Sequence, residues 1–303
     1  MLTPRTPEGN YTAPDMIRLS SLIMDPSRER SYYKELGGRP PVPADKALWG
    51  ADYPEYNPLK NCDKPPRPGK SDHLYPQTQA DLLEEDRRIW TDVGGTFDET
   101  GMPLSPFRTG IEGRGECPGI GPVTCADPVV FRVNPESGKL EILLIVRATD
   151  GFSALPGGKR EPKVNESGKR VGWETVNETL VKELREETGL SIDSEEEDRW
   201  VQLYEDEFVI AGDSRGTDNA LFVTAPKAIL LTPEEASQGL HQEDAQEIEQ
   251  VKWVEVNPDN LSSLFSTHLD YVQSAFARLQ ELNVINIRDE VKDPVLGILE
   301  MEG

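Results

Sequence analysis

Three glutamates in the run KELREETGL (Lys182–Leu190) are the residues best placed to do chemistry. Glu183, Glu186 and Glu187 stand at i, i+3 and i+4. On a helix that spacing puts three carboxylates on one face, with Val181 and Leu184 turned toward a core. Like charges so placed repel by about 0.2–0.5 kcal/mol per pair on an exposed helix. A hard divalent cation reverses that sign, because Mg²⁺ favours carboxylate oxygens. A solvated face laced by Glu178–Lys182 and Lys182–Glu186 pairs explains the same residues without a ligand. For a bare E-x-x-E-E the plainer explanation is the better one, so the surrounding residues must decide.

They decide for chemistry. The chain reads Gly168, five residues, Glu174, seven residues, then Lys-Glu-Leu-Arg-Glu-Glu-Thr-Gly-Leu. This resembles the Nudix box, G-x5-E-x7-R-E-U-x-E-E-x-G-U with U aliphatic, departing at one fixed position, where Lys182 replaces arginine. Lysine gives up the bidentate fork with which arginine orients a carboxylate. In the family the box glycine ends a Gly-Gly that follows a strand, a context that belongs here to LPGG (Leu155–Gly158). We therefore take Gly157–Gly158 as the start of the loop, with the Gly157 backbone carbonyl available to a metal. About ten residues are then inserted before Glu174.

The elements that must hold this helix follow from periodicity. Val129–Val133 and Leu140–Val146 are apolar runs of strand length separated by the hairpin signal NPESGK. Phe152–Leu155 is a short strand-like piece, and a charged stretch leads to a helix from about Glu174 to Glu187 that Gly189 is placed to end. Further strands are expected at Trp200–Ala211, Ala220–Thr224 and Val251–Val256. A closing helix is expected over Leu261–Leu282, where Leu264, Phe265, Leu269, Val272 and Phe276 recur at near-helical spacing. Strands on both sides of one helix imply a layered α/β domain. Upstream, residues 1–44 read as a tail or connector and 45–125 as a loop-rich cap, leaving 126–303 for the catalytic domain. The glycine-dense segment Arg108–Pro122 can wrap an anion with Arg108 and Arg114, or serve only as a packed linker.

The resemblance extends from about residue 40 to 280. WGADYPEYNP, FRTGIEGRG, ADPVVFR, SALPGG, DSRGTDNA, VKWVEV and LFSTH are similar to words in the mitochondrial-type ADP-ribose pyrophosphatases. They are equally similar to the C-terminal ADP-ribose-binding domain of melastatin-related TRP channels. The resemblance implies a Nudix fold, mixed sheets sandwiched between helices, under an N-terminal cap. It implies Mg²⁺, with Mn²⁺ as the alternative ion, held by Glu183, Glu186, Glu187 and Gly157. The implied reaction is hydrolysis of ADP-ribose to AMP and ribose 5-phosphate. The general base is then a helix carboxylate such as Glu187, or Glu243 or Asp244 in the loop QEDAQEIEQ. Substrate contacts are implied for Arg108, Thr109, Asp213, Arg215, Asp218, Asn219 and His268. D-S-R-G is also a natural turn, and a lone histidine on a helix is commonly structural.

Composition bounds the rest. The 303 residues carry 55 acidic against 32 basic side chains, a net charge of -23. That balance argues against nucleic acid as a partner, which demands basic surface. No run approaches the ~18 apolar residues needed to enter a bilayer. Cys62, Cys117 and Cys125 lack paired metal-site spacing and are expected to be free thiols. The N-terminus has no apolar signal region, so the cytoplasm is the expected location, or the cytosolic face of a membrane if the chain is part of a tetrameric channel. Three functions compete: a hydrolase, an ADP-ribose sensor domain of a channel, and a scaffold without ligand.

Overall fold

Helix α1 covers Ala13–Ile23 and α2 covers Ser31–Glu35 in a computed structural model that describes residues 11–67, 70–193, 197–241, 248–262, 264–265, 267–282 and 284. Thr12 caps α1 through a reciprocal box with Asp15, and Pro14 stands in the first turn. Met16, Leu19 and Ile23 form its buried stripe and belong to the same core cluster as Leu180 and Leu184. Arg18 donates to both oxygens of Asp270. The tail expected over residues 1–44 is therefore, from residue 12 onward, an integrated part of the fold. Its short apolar run is one face of a helix, and that face has to be covered.

The stretch from 44 to 120 is rich in loops and short 3-10 turns, with a helix α3 (Glu84–Asp92) and a ribbon of β1 (Thr96–Phe97) and β2 (Pro103–Leu104). The main sheet then begins with β3 (Gly121–Val133), β4 (Leu140–Arg147), β5 (Ser153–Ala154) and β6 (Gly158–Lys159). A separate hairpin, β7 (Pro162–Val164) and β8 (Arg170–Trp173), leads into α4 (Val176–Thr188). There follow β9 (Val201–Gln202), β10 (Val209–Ile210), β11 (Ala220–Leu230), α5 (Pro233–Ala236), β12 (Ile248–Glu255), α6 (Pro258–Leu261) and α7 (His268–Glu281). The sheet runs β10-β11-β3-β4-β12, with β5 on β4, β6 on β3 and β9 on β11. β3 and β11 are parallel over their full register, and the other pairs are antiparallel.

Alternation along β3 divides the core. Ala126 and Val130 join α4 through Leu180 and Leu184, while Val129 and Phe131 join α7 through Tyr271, Val272 and Phe276. The sheet thus lies between helices, as a mixed α/β sandwich. Thr175 and Glu178 form the capping box of α4, and Gly189 ends it in the left-handed conformation, φ 77°.

Several boundaries differ from the periodicity reading. β3 and β11 are longer than their apolar runs, because pairing with each other carries Pro122, Asp127, Pro128 and Lys227 along. The segment 200–211 yields only β9 and β10, two residues each. The closing helix begins at His268, since Leu264 is held instead in a parallel bridge to Ser153. Cys62, Cys117 and Cys125 are free, and no helix among the described residues is long and apolar enough to cross a membrane. Truncation of fully buried Leu19 to alanine is expected to cost about 2–5 kcal/mol. Urea unfolding tests this, and a loss below about 0.5 kcal/mol, the level of an ordinary surface change, contradicts the integration of α1.

Candidate active site

The loop Leu155–Gly158, between β5 and β6, lies directly on the acidic face of α4. Gly157 donates its N–H to Glu187 at 2.8 Å, and a Cβ on Gly158 would stand 2.5 Å from the Glu183 carboxyl carbon. A side chain at Gly158 would displace the Glu183 carboxylate from the loop. Gly157 adopts φ 147° and is pressed on its other side by Asp127 from β3. Gly168, by contrast, is at the tip of the β7–β8 hairpin with open space around it, in a turn organised by Asn165. The inserted residues are this hairpin. Arg170 and Trp173 of β8 both bond to buried Asp86 of α3, so the insertion ties the loop-rich region to the start of α4 without displacing the helix.

The three helix carboxylates have separate partners. Glu183 is partly buried, and this desolvation pushes its pKa up to about 7; Lys182 opposes the shift and Glu186 adds to it. Lys182, in place of the family arginine, bridges Glu174 at 2.9 Å and Glu183 at 3.5 Å with one ammonium. Glu186 is half-buried beside exposed Arg185, 3.9 Å from its guanidinium. Among the described residues, no three His, Cys, Asp or Glu side chains already stand together at metal-binding spacing. The donor chemistry nonetheless fits a hard divalent ion: oxygen ligands only, with Glu183, Glu186 and Glu187 on one helix beside the backbone of Gly157. Glu243 and Asp244 lie outside the described residues.

Four of the residues expected to contact substrate are committed elsewhere. Arg108 donates to the carbonyls of Lys46, Leu48, Trp49 and Ala51 and lies over the Trp49 ring. Asp218 accepts from the Thr109 N–H and hydroxyl and from Tyr56. Asn219 accepts from Gly113 and donates to Pro103. Arg108, Thr109, Asp218 and Asn219 thus knit residues 46–56 and 103–113 to the turn before β11. A buried charge or amide needs such partners whatever the ligand. Burial pushes Asp218 up to about 6, against the pull of Tyr56 and Thr109.

Asp213 accepts three hydrogen bonds from Arg215, two from the guanidinium at 2.9 and 2.6 Å and one from its backbone N–H at 2.8 Å. Burial opposes ionisation of Asp213, but Arg215 prevails and holds it down to about 2. His268, the first residue of α7, accepts the Leu155 N–H at 2.9 Å through Nδ1. It therefore anchors one end of the loop that Glu187 anchors at the other. Burial, then the charges of Arg147 and Arg28, push His268 down to about 3.

Two groups had no place in the sequence reading. Asp127 is drawn into the site inside an apolar strand, and burial pushes it up to about 6; a charged residue within an apolar run was the available signal. Arg39 donates to the carbonyls of Thr109, Ser214 and Gly216, and Tyr33 donates to Arg215, so the N-terminal segment shapes the Asp213–Arg215 turn. Nothing local in the sequence signals that contact.

The histidine assignment has a direct spectroscopic consequence. His268 is expected to remain neutral, protonated on Nε2, down to pH 5, since its proton affinity lies below its ordinary value. Imidazole ¹⁵N shifts measured from pH 8 to 5 check this, and a midpoint near 6.5 contradicts it.

Residues 126–261 match the Nudix domain family model. A Caenorhabditis elegans protein assigned by name as nudix hydrolase 6 is 30% identical over 198 residues, covering 60% of this chain and 70% of that protein. The mitochondrial ADP-ribose pyrophosphatase of Rattus norvegicus is 27% identical over 262 residues, covering 78% of this chain and 72% of the relative. The transient receptor potential cation channel subfamily M member 2 of Mus musculus is 31% identical over 144 residues, 40% of this chain but 9% of the channel. With the box carboxylates on one helix, the glycine loop against them and these similarities together, the chain belongs to the Nudix family of hydrolases.

Proposed function

We propose that this chain hydrolyses ADP-ribose to AMP and ribose 5-phosphate in the presence of Mg²⁺ or Mn²⁺. The observation that carries the reading is the contact of Gly157–Gly158 with Glu187 and Glu183, which holds backbone and carboxylates in one place. Similarity to an ADP-ribose pyrophosphatase over 78% of the chain supports the choice of substrate. Glu183, Glu186, Glu187 and the Gly157 carbonyl would hold the divalent ion. When bound, such an ion neutralises charge on the phosphate oxygens and lowers the pKa of water. Water attacks one phosphorus, the bond from that phosphorus to the bridging oxygen breaks, and the water proton passes to a carboxylate. Glu187 is the helix candidate for that proton; Glu243 and Asp244 are the alternatives.

The remaining residues position the ligand. Arg215, the more open member of its pair, is assigned to a phosphate or ribose of the substrate, with Asp213 fixing its fork. His268 acts through the loop by holding Leu155. Residues 45–125 are assigned as the cap over the Nudix domain at 126–303, and Arg108, Thr109, Asp218 and Asn219 hold that seam.

A second reading is favoured by the channel similarity: a domain that binds ADP-ribose and signals without turnover. AMP release separates the two. With Mg²⁺, wild type is expected to release AMP from ADP-ribose, and Glu187→Gln to lose at least about 10²-fold in kcat. Binding without AMP release leaves only the sensor; no thermal shift with ADP-ribose and Mg²⁺ removes both.

A further inference from the structure

The turn that carries Arg215 is hydrogen-bonded from a part of the chain outside the matched residues 126–261. Each of its three consecutive carbonyls accepts from the N-terminal segment. Ser214 accepts from Nη2 of Arg39 at 2.7 Å and Arg215 from the Tyr33 hydroxyl at 3.0 Å. Gly216 accepts from both terminal nitrogens of Arg39, each at 3.0 Å. Nη1 of Arg39 also donates to the Thr109 carbonyl at 2.6 Å, so one guanidinium ties the turn to the segment around Thr109. Gly38 donates its N–H to the Tyr33 carbonyl, which folds the chain back and sets the Arg39 guanidinium 5.2 Å from the Tyr33 ring centroid. Helix α1 closes in as well, since a Cβ on Gly216 would stand 3.3 Å from Ile23.

Asp213 holds the other side of the turn. Its carboxylate takes the N–H, Nε and Nη2 of Arg215, and its carbonyl takes the Gly216 N–H at 3.0 Å. The Arg215 guanidinium lies 3.8 Å from the Phe222 ring centroid. One edge is left over. Nη1 of Arg215 makes no hydrogen bond among the described residues, in a side chain that is 35% exposed. The bonds to Asp213 set the shape of the turn, and those from Tyr33 and Arg39 set where that shape sits. Carbonyls enclosed by protein need donors whatever their role. Here, however, the donors converge on the backbone of the one residue that offers a free guanidinium edge. Arginine suits the task at position 39, because its planar N–H donors reach carbonyls of two segments at once and a lysine ammonium does not.

We propose that Arg39 and Tyr33 are positioning residues for substrate binding, which hold the Ser214–Gly216 backbone so that Nη1 of Arg215 meets an oxygen of the nucleoside diphosphate sugar. The inference rests on the assignment of Arg215 to the substrate. It makes the segment from Tyr33 to Arg39 part of ligand recognition without a ligand contact of its own. A displacement of about 1 Å in a group that binds the reacting molecule costs up to about 10²-fold, so a backbone held this closely has a measurable effect.

Titration calorimetry with ADP-ribose in EDTA reads binding apart from turnover. It compares wild type, Arg39→Lys, Tyr33→Phe and Arg215→Gln, and each of the first two variants combined with Arg215→Gln. Alone, Arg39→Lys is expected to raise Kd about tenfold and Tyr33→Phe about threefold. Arg215→Gln is expected to raise it about tenfold or more. In the Arg215→Gln background neither further change is expected to move Kd by more than about twofold, because the residue they act through is gone. A merely structural role predicts the same loss in both backgrounds, and that result overturns the proposal. So does an unchanged Kd in Arg39→Lys and Tyr33→Phe when Arg215→Gln weakens binding. If Arg215→Gln itself leaves Kd unchanged, the assignment of Arg215 to the substrate fails and the positioning role falls with it. Wild type that binds no ADP-ribose removes both. Should Arg39→Lys lose its fold by circular dichroism, Tyr33→Phe, which keeps the ring, decides. Absence of AMP with Mg²⁺ fails the hydrolase reading alone and leaves the Kd comparison standing.

Discussion

The contact between Gly157 and Glu187 is the constraint on which the site depends. Glu186 and Glu187 occupy the last turn of α4, where the helix dipole disfavours negative charge by about 0.3–1 kcal/mol. Their mutual repulsion adds to that. A backbone N–H donated to a carboxylate returns about 1.5–3 kcal/mol, enough to offset both effects at Glu187. The same hydrogen bond fixes the loop. Once Gly157 is bound there, Gly158 must lie over Glu183, and a side chain at either glycine would collide with a carboxylate. Loop conformation and carboxylate placement are therefore one structural event.

The loop is held at three further points, one from α7 and two from adjacent residues of β3. His268 accepts Leu155 from the start of α7, β6 pairs Gly158 with Ala126 of β3, and Asp127 presses against Gly157. A conformation that glycine adopts freely, φ 147° at Gly157, is thereby fixed by α4, α7 and β3 together. The neutral state of His268 matters here. A protonated ring could not accept the Leu155 N–H, and the nearby charges of Arg28 and Arg147 oppose protonation as surely as burial does.

Legibility in the sequence follows the range of the interactions. Helix α4 was readable because its box (Thr175 and Glu178), its carboxylates and Gly189 are all local. The strands were readable where burial alone selected apolar residues, and their ends were not, because pairing of β3 with β11 overrides composition. Helix α1 carries its own start signal in Thr12 and Asp15, but the prolines around it mask a face that only the tertiary fold buries. The words Arg-Thr-Gly and Thr-Asp-Asn marked the family, yet not what their side chains do. Thr109 meets Asp218 across 109 positions of chain, and no periodicity encodes that meeting. Arg39 and the 213–216 turn are further apart still.

Lys182 shows how the same electrostatics tolerates a departure from the family pattern. A guanidinium could fork between two carboxylates; the ammonium manages one close contact, to Glu174, and one longer contact, to Glu183. Glu174 compensates by gathering other donors, the Glu161 N–H and the Thr179 hydroxyl, so the lysine is held from below by a fixed acceptor. What the substitution gives up is a second close hydrogen bond at Glu183, the carboxyl whose pKa burial pushes up to about 7 against the pull of Lys182. Glu183 is thus held by one longer ammonium contact where a guanidinium could have offered a fork, and the acidic face of α4 keeps its geometry without the family arginine.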